Sequence, residues 1–445
     1  GVFVCHCGLN IASVVNVGEV ATYALTLPNV VYAKDTMYTC SDDTQVEIKR
    51  AIREQDLNRV VVASCTPRTH EPLFRSTCED AGLNPYLFEM TNIREHCSWV
   101  HSQEPEKATA KAKDLVRMAV AKVRLLAPQQ KGQVEVERRA IVLGGGVAGM
   151  TAAMEIASQG FQVHLVERSG ALGGATMAAN TVFFSGRSPE EVFGPLVEAV
   201  ACHPNIKVHL HSALKEIKGF RGNFDATILE GGREETHKVG GILLATGSRE
   251  LKPEGLHLYG SEGVMTLGEM EEALKRGDKP RSVAFIQCVG ARTKDRPYCS
   301  RTCCLDAIKN AIHLKERYPE GPVYILYRDM MTFGLYEDEY RRSQALGVRY
   351  LKYSPENPPR VERSGSAFKV SLRDALLGAE AEMEVERVVL STPQVPAEGA
   401  EELAKILKVP RSPDGFFMEG HAKLRPLEFT QDGLYLCGSC QGPKE

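Results

Sequence analysis

The stretch that decides the fold is RRAIVLGGGVAGMTAAMEIASQGFQVHLVER, residues 138 to 168. An apolar strand runs into Gly144-x-Gly146-x-x-Gly149, a helical segment follows, and a second apolar strand ends at Glu167. Each part has a chemical reason. Gly144 permits a tight turn, Gly146 lets the backbone approach a pyrophosphate at the helix N-terminus, and Gly149 allows the helix to pack closely on the strand. Val147 and Ala148 open that helix. Glu167, with Arg168 beside it, can accept hydrogen bonds from ribose hydroxyls. A glycine-rich turn alone says little. The full order of strand, turn, helix, strand and acid predicts a dinucleotide-binding α/β unit.

Working outward, residues 1–130 read as a separate small α/β domain. GVFVC, NVVYA and RVVVASC are short apolar strands, and DDTQVEIKRAIREQ is helical, with Val46, Ile48 and Ile52 as its apolar face. The helix PEKATAKAKDLVRMAVAKVRLLA leads into the polar connector PQQKGQVEVERR, which marks a boundary near residue 130. Beyond 138 the chain repeats itself weakly. FDATILEGGREETHKVGGILLATG (224–247) and FKVSLRDALLGAEAEMEVERVVLSTP (368–393) each give strand, turn, strand and an apolar strand ending in a small-residue turn. Strands and helices alternate between them. The expected class is therefore α/β: a domain over 131–250 and 394–445, with a similar unit, 251–393, inserted in it.

The net charge of −3 gives no electrostatic reason to expect nucleic acid or an anionic membrane as partner. No apolar run approaches the ~18 residues of a membrane span, and GVFVCHCGLN lacks the basic start of a signal peptide. Both ends read as cut, so further domains are expected beyond them. Thirteen cysteines in an enzyme-like chain point to metal or redox work rather than disulfides.

Three further segments separate FAD from NAD as the dinucleotide. GALGGATM, carrying Gly173 and Gly174, follows the acidic residue as it does in FAD-dependent reductases. GGILLATGS, with Ala245, Thr246 and Gly247, and GLYLCGSCQGPK, with Gly438, Ser439, Gly442 and Lys444, resemble the later FAD motifs of that superfamily. Ser439 stands where many relatives carry Asp, so a hydroxyl replaces a carboxylate toward the ribitol. The whole then resembles a thioredoxin-reductase-like flavoprotein with two dinucleotide domains.

In such a reductase the strand RSVAFIQ would enter a second glycine loop. Here it enters CVGARTKDRPYCSRTCC, with Cys288, Cys299, Cys303 and Cys304, and the partner turn is STP (391–393), whose proline lacks an amide donor. Both changes argue against NAD(P)H in the second domain, and NADH is not expected to reduce the chain directly. Four thiolates suit a [4Fe–4S] cube. Zinc and a dithiol pair are the competing readings, and the spacing fits a zinc ribbon poorly.

Over essentially its whole length the sequence resembles the HdrA-like subunits of heterodisulfide reductase, the FAD- and iron–sulfur-bearing subunits of electron-bifurcating complexes. CVGAR…YCSRTCC, VFVCHCGLNI (2–11), NIREHCSWVH (92–101) and the terminal QGPKE carry the likeness. The resemblance implies that Cys288, Cys299, Cys303 and Cys304 ligate a [4Fe–4S] cluster beside FAD, and that the N-terminal domain carries a second cluster. It also implies a lysine near the flavin ring at Lys309, which helical periodicity puts at the polar border of its helix, as a catalytic candidate. Longer members contain ferredoxin-like CxxCxxC segments. None occurs here, Cys202 being the only cysteine between 174 and 280.

Six N-terminal cysteines compete for four ligand places. Cys7, Cys40, Cys65 and Cys97 are the expected set, with Cys5 in reserve and Cys78 a buried structural thiol. Cys437 and Cys440 are spaced CxxC, but packing around the cofactor explains them better than a redox disulfide. The expected function is flavin-based electron bifurcation between ferredoxin and a disulfide. The expected setting is a cytoplasmic complex with further heterodisulfide-reductase-like subunits and a hydrogenase, formate dehydrogenase or related donor. The alternatives are a non-bifurcating relay, a cofactor-binding scaffold and an NADH-dependent disulfide reductase.

Overall fold

The N-terminal unit is built by alternation along its strands. It comprises β1 (Val2–Cys5), α1 (Val17–Ala24), β2 (Ala33–Thr36), α2 (Asp42–Glu54), β3 (Val60–Ser64), α3 (Pro67–Asp80), β4 (Phe88–Asn92), a π-helical turn (Arg94–Trp99) and α4 (Pro105–Leu125). The strands form one parallel sheet in the order β2-β1-β3-β4. Val2, Val4, Val61 and Ala63 pack with α1 and α4, through Val20, Ala112 and Val116. Phe3, Val60 and Val62 pack on the other face, with Ile48 and Phe74. Covering both faces is why these strands read as unbroken apolar runs. The computed structural model describes residues 1–444, which divide into two compact units, Gly1–Val134 and the remainder from Glu135.

Two local expectations are corrected. The second strand is AKDT rather than NVVYA: Asn29 takes φ +69°, Val31 is exposed, and pairing to β1 starts at Ala33 opposite Val2. In α2, Val46 is exposed, while the buried residues are Thr44, Gln45, Ile48, Ala51 and Ile52. Their spacing of three and four residues makes the stripe, and Val46 falls outside it.

The second unit contains two lobes of one plan. The first holds β5 (Arg139–Leu143), α5 (Val147–Ser158), β6 (Gln162–Val166), α6 (Pro189–Cys202), β7 (Ile206–His209), β8 (Ser212–Phe220), β9 (Asn223–Glu230), β10 (Arg233–Val239) and β11 (Gly241–Leu244). The chain then leaves through β12 (Ser248–Glu250). The second lobe holds β13 (Val264–Thr266), α7 (Leu267–Lys275), β14 (Val283–Ile286), α8 (Cys303–Arg317), β15 (Val323–Tyr327), α9 (Tyr336–Ala345), β16 (Arg349–Lys352), β17 (Arg360–Ser364), β18 (Ala367–Arg373), β19 (Glu380–Val385) and β20 (Arg387–Leu390). The chain returns through β21 (Gln394–Pro396), antiparallel to β12, and adds α10 (Ala400–Leu407) and β22 (Leu434–Leu436) to the first lobe.

Each lobe has a five-stranded parallel sheet, β22-β11-β5-β6-β7 in one and β13-β20-β14-β15-β16 in the other. Each also has a three-stranded antiparallel sheet, β10-β9-β8 and β17-β18-β19. The weak sequence repeat is thus a structural one. Among the described residues no helix is long and apolar enough to cross a membrane.

Candidate cofactor sites

At the carboxyl end of β5 the glycines make a cradle. Gly144 takes φ +109°, and a Cβ there would stand 2.3 Å from the Ala245 carbonyl oxygen. A Cβ on Gly149 would collide with the Gly144 oxygen at 1.9 Å, which is the close helix–strand packing expected of that position. Gly146 differs. Its Cβ would meet nothing nearer than the Gly174 Cα at 4.0 Å, so the backbone is open to a ligand at the N-terminus of α5, where Val147 and Ala148 begin the helix. Gly173 and Gly174 are both left-handed, and the Gly173 amide donates to Gly145 O at 2.8 Å.

Glu167 sits directly after β6, its carboxylate accepting from the amides of Gly145 (2.6 Å) and Ser169 (2.7 Å). Arg168 donates to the Glu398 carbonyl at 2.9 Å. A cleft of about 380 Å³ opens here between Gly144, Glu167, Arg168, Thr246, Glu398 and Leu403. The wall from Glu398 to Leu403 has no signal in the sequence, since it comes from the returning segment and α10. Ala245 is buried, and the buried Thr246 Oγ1 has no partner. Gly247 and Gly438 are left-handed, with Ser439 Oγ 3.9 Å from a Cβ on Gly247. Gly442 follows, and Lys444 donates to Gln441 Oε1 at 2.7 Å. An orphaned hydroxyl and an open backbone at a helix start fit FAD. Cys440 is buried with its thiol donating to the Leu244 and Cys437 carbonyls, a packing role.

The equivalent position in the second lobe is the loop from β14 to α8. Cys288, second in the loop after Gln287, takes φ +62°, and Arg292 and Arg301 are also left-handed. Cys303 and Cys304 open α8 within the core, and the Cys304 thiol donates to the Asp329 carbonyl at 3.9 Å. The neighbouring Cys304 and burial hold the Cys303 thiol up, while Cys304 is held down by Cys303. Cys288 is pushed up to about 11 by burial first, then by Cys304 and Cys299. The four thiols therefore act on one another. Beside the ends of β14 and β20 lie buried polar atoms without partners: both amide atoms of Gln287, Ser391 Oγ and Thr392 Oγ1, with Asn310 Nδ2 on α8. Four thiols on one loop and at the helix start it enters, beside buried polar groups without partners, fit a group that accepts hydrogen bonds, as cluster sulfides do.

In the N-terminal unit the parallel strands end on one edge, with the switch point of strand order between β1 and β3. Cys5, Cys7, Cys40 and Cys65 follow β1, β2 and β3 and influence one another electrostatically. The Arg94 guanidinium acts on two of them, holding the Cys7 and Cys65 thiols lower than burial alone would. Arg94 itself pairs with Glu95 at 2.8 Å and covers the Trp99 ring. Cys97 shares the buried cluster that holds Cys5 and against which Cys7 packs. It is wholly buried on the π-helical turn, pushed up to about 11 by burial, with Lys111 as its charged influence. The turn directs Cys97 inward under α4, which spacing along the chain does not reveal. Cys78 is buried in α3.

Lys309 is also placed differently from the periodicity, which puts it at a polar border. It is buried, 3.0 Å from the equally buried Glu271 and 3.5 Å from Asp306, and it donates to Thr181 O at 2.8 Å. Its ammonium lies over the Phe183 ring. The segment from Thr181 to Phe184, without periodicity of its own, closes over the helix and turns a border lysine into an enclosed cation.

Residues 138–290, which hold the glycine cradle and reach the first thiol, match the family model described as pyridine nucleotide-disulphide oxidoreductase. Over its whole length the chain is 39% identical to the second A-type iron–sulfur component of CoB–CoM heterodisulfide reductase from Methanopyrus kandleri, covering 82% of that protein. The chain belongs to the HdrA-like family of heterodisulfide reductase subunits. It is equally fully aligned, at 37% identity and 82% coverage, with the A-type component of the H2:CoB–CoM heterodisulfide, ferredoxin reductase of Methanothermobacter marburgensis. Those alignments span 541 positions against the 445 residues of this chain, so the relatives carry inserted residues that it lacks. Among solved structures, thioredoxin reductase of T. acidophilum superposes at TM-score 0.48 with 18% identity, over 69% of this chain and 92% of that one. This member of the HdrA-like family is an oxidoreductase, and its flavoprotein fold implies FAD.

Proposed function

We propose that this chain is an FAD- and iron–sulfur-containing electron-transfer subunit that divides electron pairs between a low-potential acceptor such as ferredoxin and a higher-potential acceptor such as a disulfide. The observation that carries the reading is the second lobe, where four thiols amid unpartnered polar side chains occupy the place of a nucleotide-binding loop. Cys288, Cys299, Cys303 and Cys304 would hold one [4Fe–4S] cluster. In the N-terminal unit, Cys7, Cys40, Cys65 and Cys97, with Cys5 in reserve, would hold another. Bound FAD supplies the exchange between two-electron and one-electron transfer.

The residues of the chain position and tune. The Gly144–Gly149 loop takes the pyrophosphate, and Glu167 orients the ribose. Lys309 pairs with Glu271 and Asp306 in a buried pocket, where charge interactions are stronger than in water. The Arg94 and Arg292 guanidiniums favour the ionised forms of the ligand-candidate thiols Cys7 and Cys288. The setting proposed is a cytoplasmic complex with other heterodisulfide-reductase-like subunits and a hydrogenase or formate dehydrogenase as donor. A redox titration of the anaerobically isolated holoprotein tests the reading. Bifurcation requires the second electron to be taken up more readily than the first, so the two one-electron steps come in inverted order. Steps in normal order, well separated, would reduce the chain to a simple relay.

A further inference from the structure

Three histidines far apart in sequence meet where the first lobe's two sheets face each other. His164 is on β6, His209 ends β7, and His237 is on β10; they are 8%, 1% and 8% exposed. One ring nitrogen from each lies within 4.8 Å of the other two. We propose that these three imidazoles form a binding site for a divalent transition metal of the zinc class, pinning the β8–β9–β10 sheet to the parallel sheet that carries the FAD cradle.

The hydrogen bonds give direction to the site. Glu230 Oε2 lies 2.9 Å from His209 Nδ1, and His209 Nε2 lies 3.0 Å from His164 Nδ1. A carboxylate fixing one imidazole nitrogen, so that the other faces inward as a ligand, is the usual outer support of a histidine–metal site. His237 makes the strongest case. Its ring packs against His164 with centroids 4.1 Å apart, yet its buried Nε2 has no hydrogen-bond partner and only a 3.6 Å approach from the Glu235 carboxylate. A structural stack satisfies His164 and His209 and leaves that nitrogen orphaned, a costly arrangement for a buried polar atom. A metal satisfies all three.

The dimensions suit it. Tetrahedral zinc with Zn–N bonds of about 2.0–2.1 Å sets its ligand nitrogens about 3.3 Å apart, between the 3.0 Å already present and the 4.8 Å limit of the trio. Small ring rotations close the difference. Neutral imidazole is a preferred donor for this class of ion. The basic groups that face the cluster, Lys207 and Arg139, are each engaged by a carboxylate, Glu235 at 3.7 Å and Glu137 at 2.9 Å. Glu235 or a water completes the fourth position.

The test is metal content and spectroscopy on the anaerobic holoprotein with FAD and iron retained. Dialysed against submicromolar Zn2+, the wild-type chain is expected to bind one zinc that the His237→Gln and His164→Asn variants do not. Zinc should raise the melting temperature of the wild type alone. Co2+ in its place should give a tetrahedral spectrum without thiolate-to-metal charge transfer. X-ray absorption at the zinc edge of the wild type needs no variant, and should show imidazole scattering. Equal zinc in wild type and both variants, sulfur scattering at the zinc, or binding only at millimolar zinc would each overturn the site.

Discussion

The two lobes of the second unit share a sheet plan and differ at one junction. Where β5 meets α5 the connection is short and built of glycine, with backbone amides exposed at a helix start. Where β14 meets α8 the connection runs from Gln287 to Thr302 and is built of cysteine, arginine and buried amides without partners. The fold fixes the place, at the carboxyl ends of parallel strands, and the loop decides what is held there. The thiol loop also bears three non-glycine residues in left-handed backbone, Cys288, Arg292 and Arg301. Each such residue costs on the order of 1–3 kcal/mol, a strain that clusters at ligand sites.

The sharpest way to separate the lobes is to damage one loop and read both. Gly146→Val places carbon where the protein leaves room, so the fold is spared and a pyrophosphate is excluded. FAD occupancy is expected to fall by about tenfold or more, equivalent to at least about 1.4 kcal/mol, with iron unchanged. Flavin absorbance against iron content checks this, and parallel loss of both would show the two loops to be coupled.

The converse variant is Cys303→Ser. At ~4 Fe per cube and two cubes, about half of about eight iron should be lost, with FAD retained. Anaerobic iron and sulfide analysis reads the outcome. Loss of flavin with the iron would deny the second lobe an independent site.

A different kind of effect is expected where the lobes meet, at Lys309. Lys309→Met leaves Glu271 without its cation, and breaking a buried pair costs about 3–5 kcal/mol, visible as a lower melting temperature. The specific sign of its role is a more negative flavin potential, since the positive charge that favours the reduced anion is gone. A destabilised protein with unchanged potentials would leave Lys309 a purely structural cation.

Much of this plan is legible in residues 138–168, because a glycine loop between a strand and a helix is local information. The repeat of strand pairs before each small-residue turn likewise exposes the two-lobed plan. Features set by tertiary contact are not legible. Lys309 reads as a border residue until the segment at Thr181 covers it. Cys97 lies in a stretch without periodicity, and only the π-helical turn beneath α4 carries it into the cluster that holds Cys5. His164, His209 and His237 sit singly in unrelated strands, and only sheet packing brings their rings together.

The central claim is that the second lobe holds iron where a reductase of this plan holds a nucleotide. Metal and sulfide analysis of the wild-type chain, purified anaerobically and normalised to bound FAD, tests it most directly. The account predicts about eight iron and eight sulfide per FAD, from two cubes of about four each, falling to about four in Cys303→Ser. About four iron in both proteins, or zinc in place of iron at the second-lobe thiols, would contradict it.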